Sequence, residues 1–100
     1  MNPYLEETEP NFWLSCILLD EDCKVTSEDI RLTLEKENIE SRPTWKPMHM
    51  QPVFKDCDFI SVEEKPVGED IFARGLCLPS DIKMSEETQK TVIDVIKSCF

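Results

Sequence analysis

The groups in this chain best suited to polar chemistry sit within fifteen consecutive residues, Ser41 to Lys55, reading SRPTWKPMHMQPVFK. The chain carries 21 acidic and 11 basic residues, yet this stretch holds no acid at all. It does hold Arg42, Lys46, Lys55, the single histidine His49, Trp45 and the prolines at 43, 47 and 52. An arginine supplies a planar fork of donors, a lysine a mobile point charge, and a neutral histidine either a donor or an acceptor. Tryptophan adds a flat face on which a base or sugar ring can lie. The segment from Arg42 to Lys55 could therefore recognise a phosphate or carboxylate. Three prolines remove three backbone donors and fix three φ angles, which lowers the ordering cost of binding. The competing reading is a structural loop whose Trp45, Met48, Met50 and Phe54 cover the open side of a sheet.

Nucleophilic catalysis finds less support. Ser80 or Cys57 would need His49 beside it, and nothing in the spacing brings them together. No carboxylate is identifiable as an orienting partner for His49. The five cysteines, at 16, 23, 57, 77 and 99, form no CxxC pair, and one histidine is little help to a metal. Cys16, Cys77 and Cys99 stand in apolar runs and read as small buried hydrophobes.

The elements that must position this segment follow from pattern. Residues 1–11 are acidic and polar, a loose lead-in, and 12–100 form one domain. Phe12–Leu19 is a continuous apolar run of strand length, closed by Asp20-Glu21-Asp22. Thr26-Ser27-Glu28-Asp29 is a helix start, with a hydroxyl cap and acids in the first turn. Ile30 and Leu34 lie one turn apart on its inner face, and the helix fades near Asn38. A short strand over Ile39–Arg42 is expected to stop at Pro43. Beyond the proline loop, Gln51–Lys55 forms at most a helical turn and 56–65 is irregular. Gly68–Arg74 reads as a short helix with Ile71 and Phe72 inward and Gly75 at its C-cap. Leu76–Leu78 is a third strand, and Ser85 opens a last helix whose Val92, Ile93, Ile96, Cys99 and Phe100 face the core. The expected fold is α+β, a two-layer sandwich of a mixed or antiparallel three-stranded sheet with helices on one face.

One hundred residues suffice for a single core without disulfides or metal, burying roughly 65% of the unfolded surface. A net charge of −10 makes nucleic acid and anionic membrane poor partners. The longest apolar run falls well short of the about 20 residues a bilayer span takes. Glu6, Glu7 and Glu9 precede it where a signal peptide would need positive charge, so the expected location is cytoplasmic.

Three stretches, NFWLSCILLDED, TSEDIRLTLEKENIESRPTWKPMHMQPVF and IFARGLCLPSDIKMSEETQKTVIDVIKSCF, carry a resemblance. In order and spacing they are similar to the C-terminal part of the DegT/DnrJ/EryC1/StrS aminotransferases, pyridoxal-phosphate-dependent enzymes that aminate keto sugars on nucleotide carriers. The resemblance runs from about Asn11 to Phe100, and its RPxWKPMHxQPVF block is long and idiosyncratic. It departs from the family's usual Ser-Gly at Asp81. It implies the small domain that closes on a large domain, with the active site at a dimer interface. Arg42, Trp45, Lys46 and His49 match the block that approaches cofactor and nucleotide-sugar, and become candidates for the substrate side.

The family's Schiff-base lysine, its aspartate on the pyridine nitrogen and its phosphate-holding residues belong to the large domain and have no counterpart here. The resemblance therefore implies no catalytic or cofactor-binding residue in this chain, no bound cofactor, and no activity alone. Expected partners are a large pyridoxal-phosphate-binding domain or subunit, a second copy of the chain, and a nucleotide-sugar held weakly at most. The alternative is a stand-alone binding or interaction module derived from that domain. Whether the DNA upstream encodes, in frame, a large domain with a cofactor lysine separates the two.

Overall fold

The computed structural model describes residues 4–62 and 64–100. Its first helix, α1 (Ser27–Lys36), starts where the sequence predicts. Thr26 Oγ1 accepts from the Asp29 amide at 3.1 Å, and Asp29 Oδ2 accepts from the Thr26 amide at 2.9 Å. This reciprocal pair satisfies two donors that the helix itself leaves orphaned. At the other end Asn38 takes a left-handed φ of 57°. There the amides of Asn38 and Ile39 bond back to the carbonyls of Glu35 (3.0 Å) and Leu34 (2.9 Å). Asparagine tolerates that conformation better than most residues, so the helix stops cleanly.

The last helix, α3 (Glu86–Lys97), is capped by Ser85, whose Oγ accepts from the Thr88 amide at 3.1 Å. Ile30 and Leu34 of α1 are fully buried against Val92 of α3 and Leu76 of the sheet, and Val95, Ile96 and Cys99 pack around them. The expected inner stripe of α3 is corrected at two positions, because Ile93 and Phe100 are exposed. The 92–95–96–99 spacing follows the helical period, whereas residue 93 sits about 100° round from Val92.

The sheet has three strands, β1 (Ser15–Leu18), β2 (Arg42–Pro43) and β3 (Gly75–Leu78), in the order β1-β3-β2. Both outer strands run antiparallel to β3, with Cys16 opposite Cys77 and Arg42 opposite the same Cys77. The outer strands thus run parallel to each other, joined by α1, with β3 inserted between them. This is the expected small α+β sandwich, and every strand pair in it is antiparallel.

Two strand boundaries differ from expectation. The apolar run from Phe12 pairs only from Ser15, because Phe12 turns the chain with a φ of 52° and Trp13 is left exposed. The second strand lies at Arg42–Pro43 rather than 39–42, since Asn38 and Ile39 are spent terminating α1. Pro43 lacks an N–H, which an edge strand tolerates. Two single turns of 3-10 helix follow, at Met48–Met50 and Pro52–Phe54.

Helix α2 (Val67–Arg74) runs directly into β3 with no residue between them. Its Ile71 is 42% exposed, contrary to the inward face expected, and Phe72 is half-buried. Arg74 ties the junction. Its guanidinium donates to both oxygens of Asp70 and to the Leu19 carbonyl, while Lys65 reaches Asp70 at 2.7 Å. Gly75 follows the helix as predicted but with an extended backbone, φ −90°. Space demands it. A Cβ there would stand 2.3 Å from the Ile71 carbonyl oxygen and 2.6 Å from the Thr44 side chain.

Those contacts make the two glycines of the chain opposites. Gly75→Ala must displace backbone and break a packed junction, and is expected to lower unfolding free energy by about 3 kcal/mol in a urea titration. Gly68→Ala meets nothing closer than Pro47 Cγ at 3.5 Å. Within α2 it should raise stability by about 0.5 kcal/mol. A tolerated Gly75→Ala would mean that the junction is looser than these distances imply.

Asp70 carries the clearest acid dependence. Hydrogen bonds from Arg74 and then Lys65 hold its carboxyl well below the usual aspartate range. Stability from this group is fully present above its unfolded pKa and is lost as pH falls through the lower folded value. Asp70→Asn should therefore be less stable than the parent at neutral pH. The gap should narrow steadily below about pH 4. An equal difference in urea midpoint across that range would contradict the assignment.

Candidate functional site

Strand β2 and the loop after it form one wall of an open cleft of about 1040 Å³. The opposite wall is the turn after β3 and the first turns of α3, including Lys83, Met84 and Thr88. That turn is held by Asp81, whose Oδ1 accepts from the Lys83 amide at 2.8 Å and whose carbonyl accepts from the Met84 amide at 3.0 Å. Asp81 thus supports this turn by side-chain bonding.

Of the four residues predicted for the site, Arg42 and Trp45 line this cleft, while Lys46 and His49 fall outside its lining. Arg42 has 78% of its side chain in solvent, and its Nε donates to Glu40 Oε1 at 2.8 Å. The two lie two residues apart on extended chain, and so on the same side. Trp45 is 64% exposed, and its ring lies 6.5 Å from that of Trp13 at a tilt of 46°. Two tryptophan faces therefore border the cleft from opposite ends of the chain's first half. Ser41 adds a buried Oγ with no partner among the described residues. Such a hydroxyl costs roughly 1–3 kcal/mol unless water or a ligand satisfies it.

Lys46 is exposed and makes no ion pair among the described residues. His49 is different. Only 20% of its side chain is exposed, its Nε2 lies 2.7 Å from Glu69 Oε1, and its ring stacks on Phe59 with centroids 3.5 Å apart. Its orienting carboxylate, which the sequence did not reveal, comes from the first turn of α2. Glu40 is not among the residues expected at the site, although its two-residue spacing from Arg42 is a signal that could have found it. Glu69 and Phe59 carry no local signal, and neither does Trp13 beside Trp45.

Cys57 is an exposed free thiol, whereas Ser80, Cys16 and Cys77 are engaged elsewhere. Ser80 Oγ accepts from the Ser15 amide at 2.8 Å and donates to the Leu78 carbonyl at 3.0 Å, clasping two strand ends. Cys16 and Cys77 face each other across the sheet with sulfurs 3.5 Å apart. Burial, then the Cys16 thiol, push the Cys77 thiol up to about 11, which makes it a poor nucleophile. Among the described residues no group of three His, Cys, Asp or Glu could hold a metal, and no helix is long and apolar enough to cross a membrane. The arrangement offers aromatic faces, a paired guanidinium and hydrogen-bonding groups, which is the chemistry of binding.

Comparison with known proteins fits these residues into a larger frame. The sequence model of the DegT/DnrJ/EryC1/StrS aminotransferase family matches residues 2–97. A Bacillus subtilis (strain 168) protein, EpsN, described as a pyridoxal phosphate-dependent aminotransferase, is 45% identical over 91 residues, covering 90% of this chain and 23% of its own length. The GDP-perosamine synthase of Vibrio cholerae is 30% identical over 93 residues, covering 90% and 24%. The crystal structure of a DegT DnrJ EryC1 StrS aminotransferase from Brucella abortus superposes with a TM-score of 0.67 at 27% identity, over 85% of this chain and 21% of that one. The chain thus spans about a quarter of the length of the curated relatives it matches. As a small α+β domain of that size, matched along almost all of its residues, the chain belongs to the DegT/DnrJ/EryC1/StrS aminotransferase family.

Proposed function

We infer that this chain is the C-terminal small domain of a pyridoxal-phosphate-dependent nucleotide-sugar aminotransferase of the cytoplasm, and that its 42–54 segment faces the substrate cleft of the assembled enzyme. The observation that carries the reading is where large apolar side chains remain in solvent. Trp45, Met48 and Val53 of that segment are all exposed, beside an exposed Trp13. The Trp45 ring lies beside that of Trp13, and a partner surface is the usual reason for exposed aromatic side chains to sit together. In this reading Arg42 and Trp45 approach the nucleotide-sugar directly, Lys46 supplies mobile charge at the rim, and His49 supplies an oriented hydrogen bond.

The cofactor of the parent family requires a desolvated amine, a carboxylate for the pyridine nitrogen and donors for the phosphate. All eight lysines of this chain are exposed. Lys65 is held above its ordinary pKa by its hydrogen bond to Asp70, the reverse of what a nucleophilic amine needs. The residues present do not fit the cofactor on their own, and chemistry is assigned to the large domain. Mixing the purified chain with pyridoxal phosphate should give no new visible band and no lysine selectively trapped by borohydride. A stoichiometric adduct at one lysine, with transaminase turnover, would overturn the reading.

Anion recognition at Arg42 has its own test. A nucleotide-sugar diphosphate must compete with Glu40 for the guanidinium, against a net charge of −10. Affinity in this chain should be millimolar, about −4 kcal/mol. Arg42→Ala should weaken amide shifts at 42–55. Glu40→Gln, which frees the guanidinium from an exposed pair worth at most about 1 kcal/mol, should strengthen binding up to about fivefold. Equal binding by all three proteins would remove Arg42 from the site.

A further inference from the structure

His49 sits at the centre of the single 3-10 turn Met48–Met50, and its ring is restrained in two ways. Phe59 covers one face at an interplanar angle of 12°, and Glu69 takes Nε2 at 2.7 Å. A carboxylate oxygen is an acceptor, so the hydrogen of a neutral ring belongs on Nε2, and Nδ1 keeps its lone pair. The tautomer follows from the partner. Nδ1 makes no hydrogen bond among the described residues, and a fifth of the side chain is open to solvent.

We propose that Glu69 is a positioning residue: it fixes neutral His49 as the Nε2–H tautomer and so presents Nδ1 outward as an acceptor for a ligand hydroxyl. The inference rests on the reading of 42–54 as a substrate-facing segment, and it divides that segment's labour. The basic composition of the stretch points to anions, but an imidazole lone pair backed by a carboxylate repels a phosphate oxygen. It suits a sugar hydroxyl instead. Arg42 and Lys46 retain the charge, and His49 reads a hydroxyl. Moving the proton to Nδ1 would place the Nε2 lone pair against Glu69 and leave the stacked geometry with no favourable bond at that end. Ring restraint of this kind is how an oriented histidine is held in catalytic and ligand sites generally.

Because the chain has one histidine, a uniformly ¹⁵N-labelled sample gives a single imidazole spin system. On the neutral plateau of its titration, Nε2 should show a pyrrole-type shift and Nδ1 a pyridine-type shift. In Glu69→Ala both nitrogens should move toward the averaged values of exchanging tautomers, with amide resonances of α1 and α3 unchanged. A pyrrole-type Nδ1 in the parent, or an unaltered pattern in Glu69→Ala, would overturn the positioning role.

The ligand arm uses GDP-mannose against inorganic pyrophosphate at equal concentration. The Nδ1 resonance should move with the sugar nucleotide and not with pyrophosphate. Movement with both would make His49 a reporter of anions and overturn the hydroxyl assignment. If GDP-mannose shifts the amides of Arg42 and Trp45 but leaves Nδ1 in place, the hydroxyl role fails and the substrate-facing reading stands. If it shifts nothing in 42–55, the substrate-facing reading itself fails, and the hydroxyl role with it.

Discussion

The whole sheet hangs on a contact that only a glycine permits. Helix α2 passes into β3 without an intervening residue, and at that seam Thr44 presses its side chain against Gly75. Thr44 is the one buried polar residue among the described residues, and its hydroxyl donates to the Ile71 carbonyl at 2.8 Å, one of the carbonyls a helix end leaves open. Its amide reaches the Gly75 carbonyl at 3.5 Å, continuing the β2–β3 pairing by one step. A two-residue strand ending in proline has little pairing of its own. Thr44 supplies what β2 lacks, and in doing so fixes where Trp45 and the proline loop leave the sheet. Arg74, clamped by Asp70 and bonded to the Leu19 carbonyl, locks the same seam to the end of β1.

Helices were the legible part of this fold. Thr26, Asp29 and Ser85 announce helix starts because capping is a matter of residues within one turn of each other. Ile30 and Leu34 repeat at the helical period and are fully buried as read. Strands were harder, since they pair with distant residues and their ends depend on what the partner can reach. Nothing local in Phe12-Trp13-Leu14 shows that pairing starts only at Ser15. The reach of β3, four residues long, sets that limit from sixty positions away. Gly75 illustrates the same asymmetry. Its position after a helix is readable, but the reason for it lies in Thr44, whose approach is a tertiary fact.

The candidate site divides along the same line. Composition isolates the 41–55 segment, the resemblance to the family selects Arg42, Trp45, Lys46 and His49 within it, and the two-residue spacing lets Glu40 reach Arg42. Where each side chain ends up is another matter. Trp45 meets Trp13, and His49 meets Phe59 and Glu69, across separations of 32, 10 and 20 residues (45 − 13, 59 − 49 and 69 − 49) that no periodicity links. The result separates residues that sequence proximity had grouped. Arg42 and Trp45 open on the cleft, whereas His49 is drawn toward α2.

That separation gives the proline loop a physical purpose beyond stiffness. The loop has two one-turn helices, each closed by its own backbone bonds and each entered from a restrained residue, Pro47 before Met48–Met50 and Pro52 at the start of Pro52–Phe54. Fixed φ angles add to those bonds, so Trp45, Met48 and Val53 are held without being buried. Trp45, Met48 and Val53 can then stay in solvent without the loop collapsing onto the sheet to hide them. Collapse would gain apolar burial at about 25 cal/mol per Å², and the backbone restraint opposes it. An acidic domain thereby keeps one neutral-to-basic, apolar edge in a set shape, and a second protein surface can cover it with little further ordering cost. The same restraint keeps His49 within reach of Glu69.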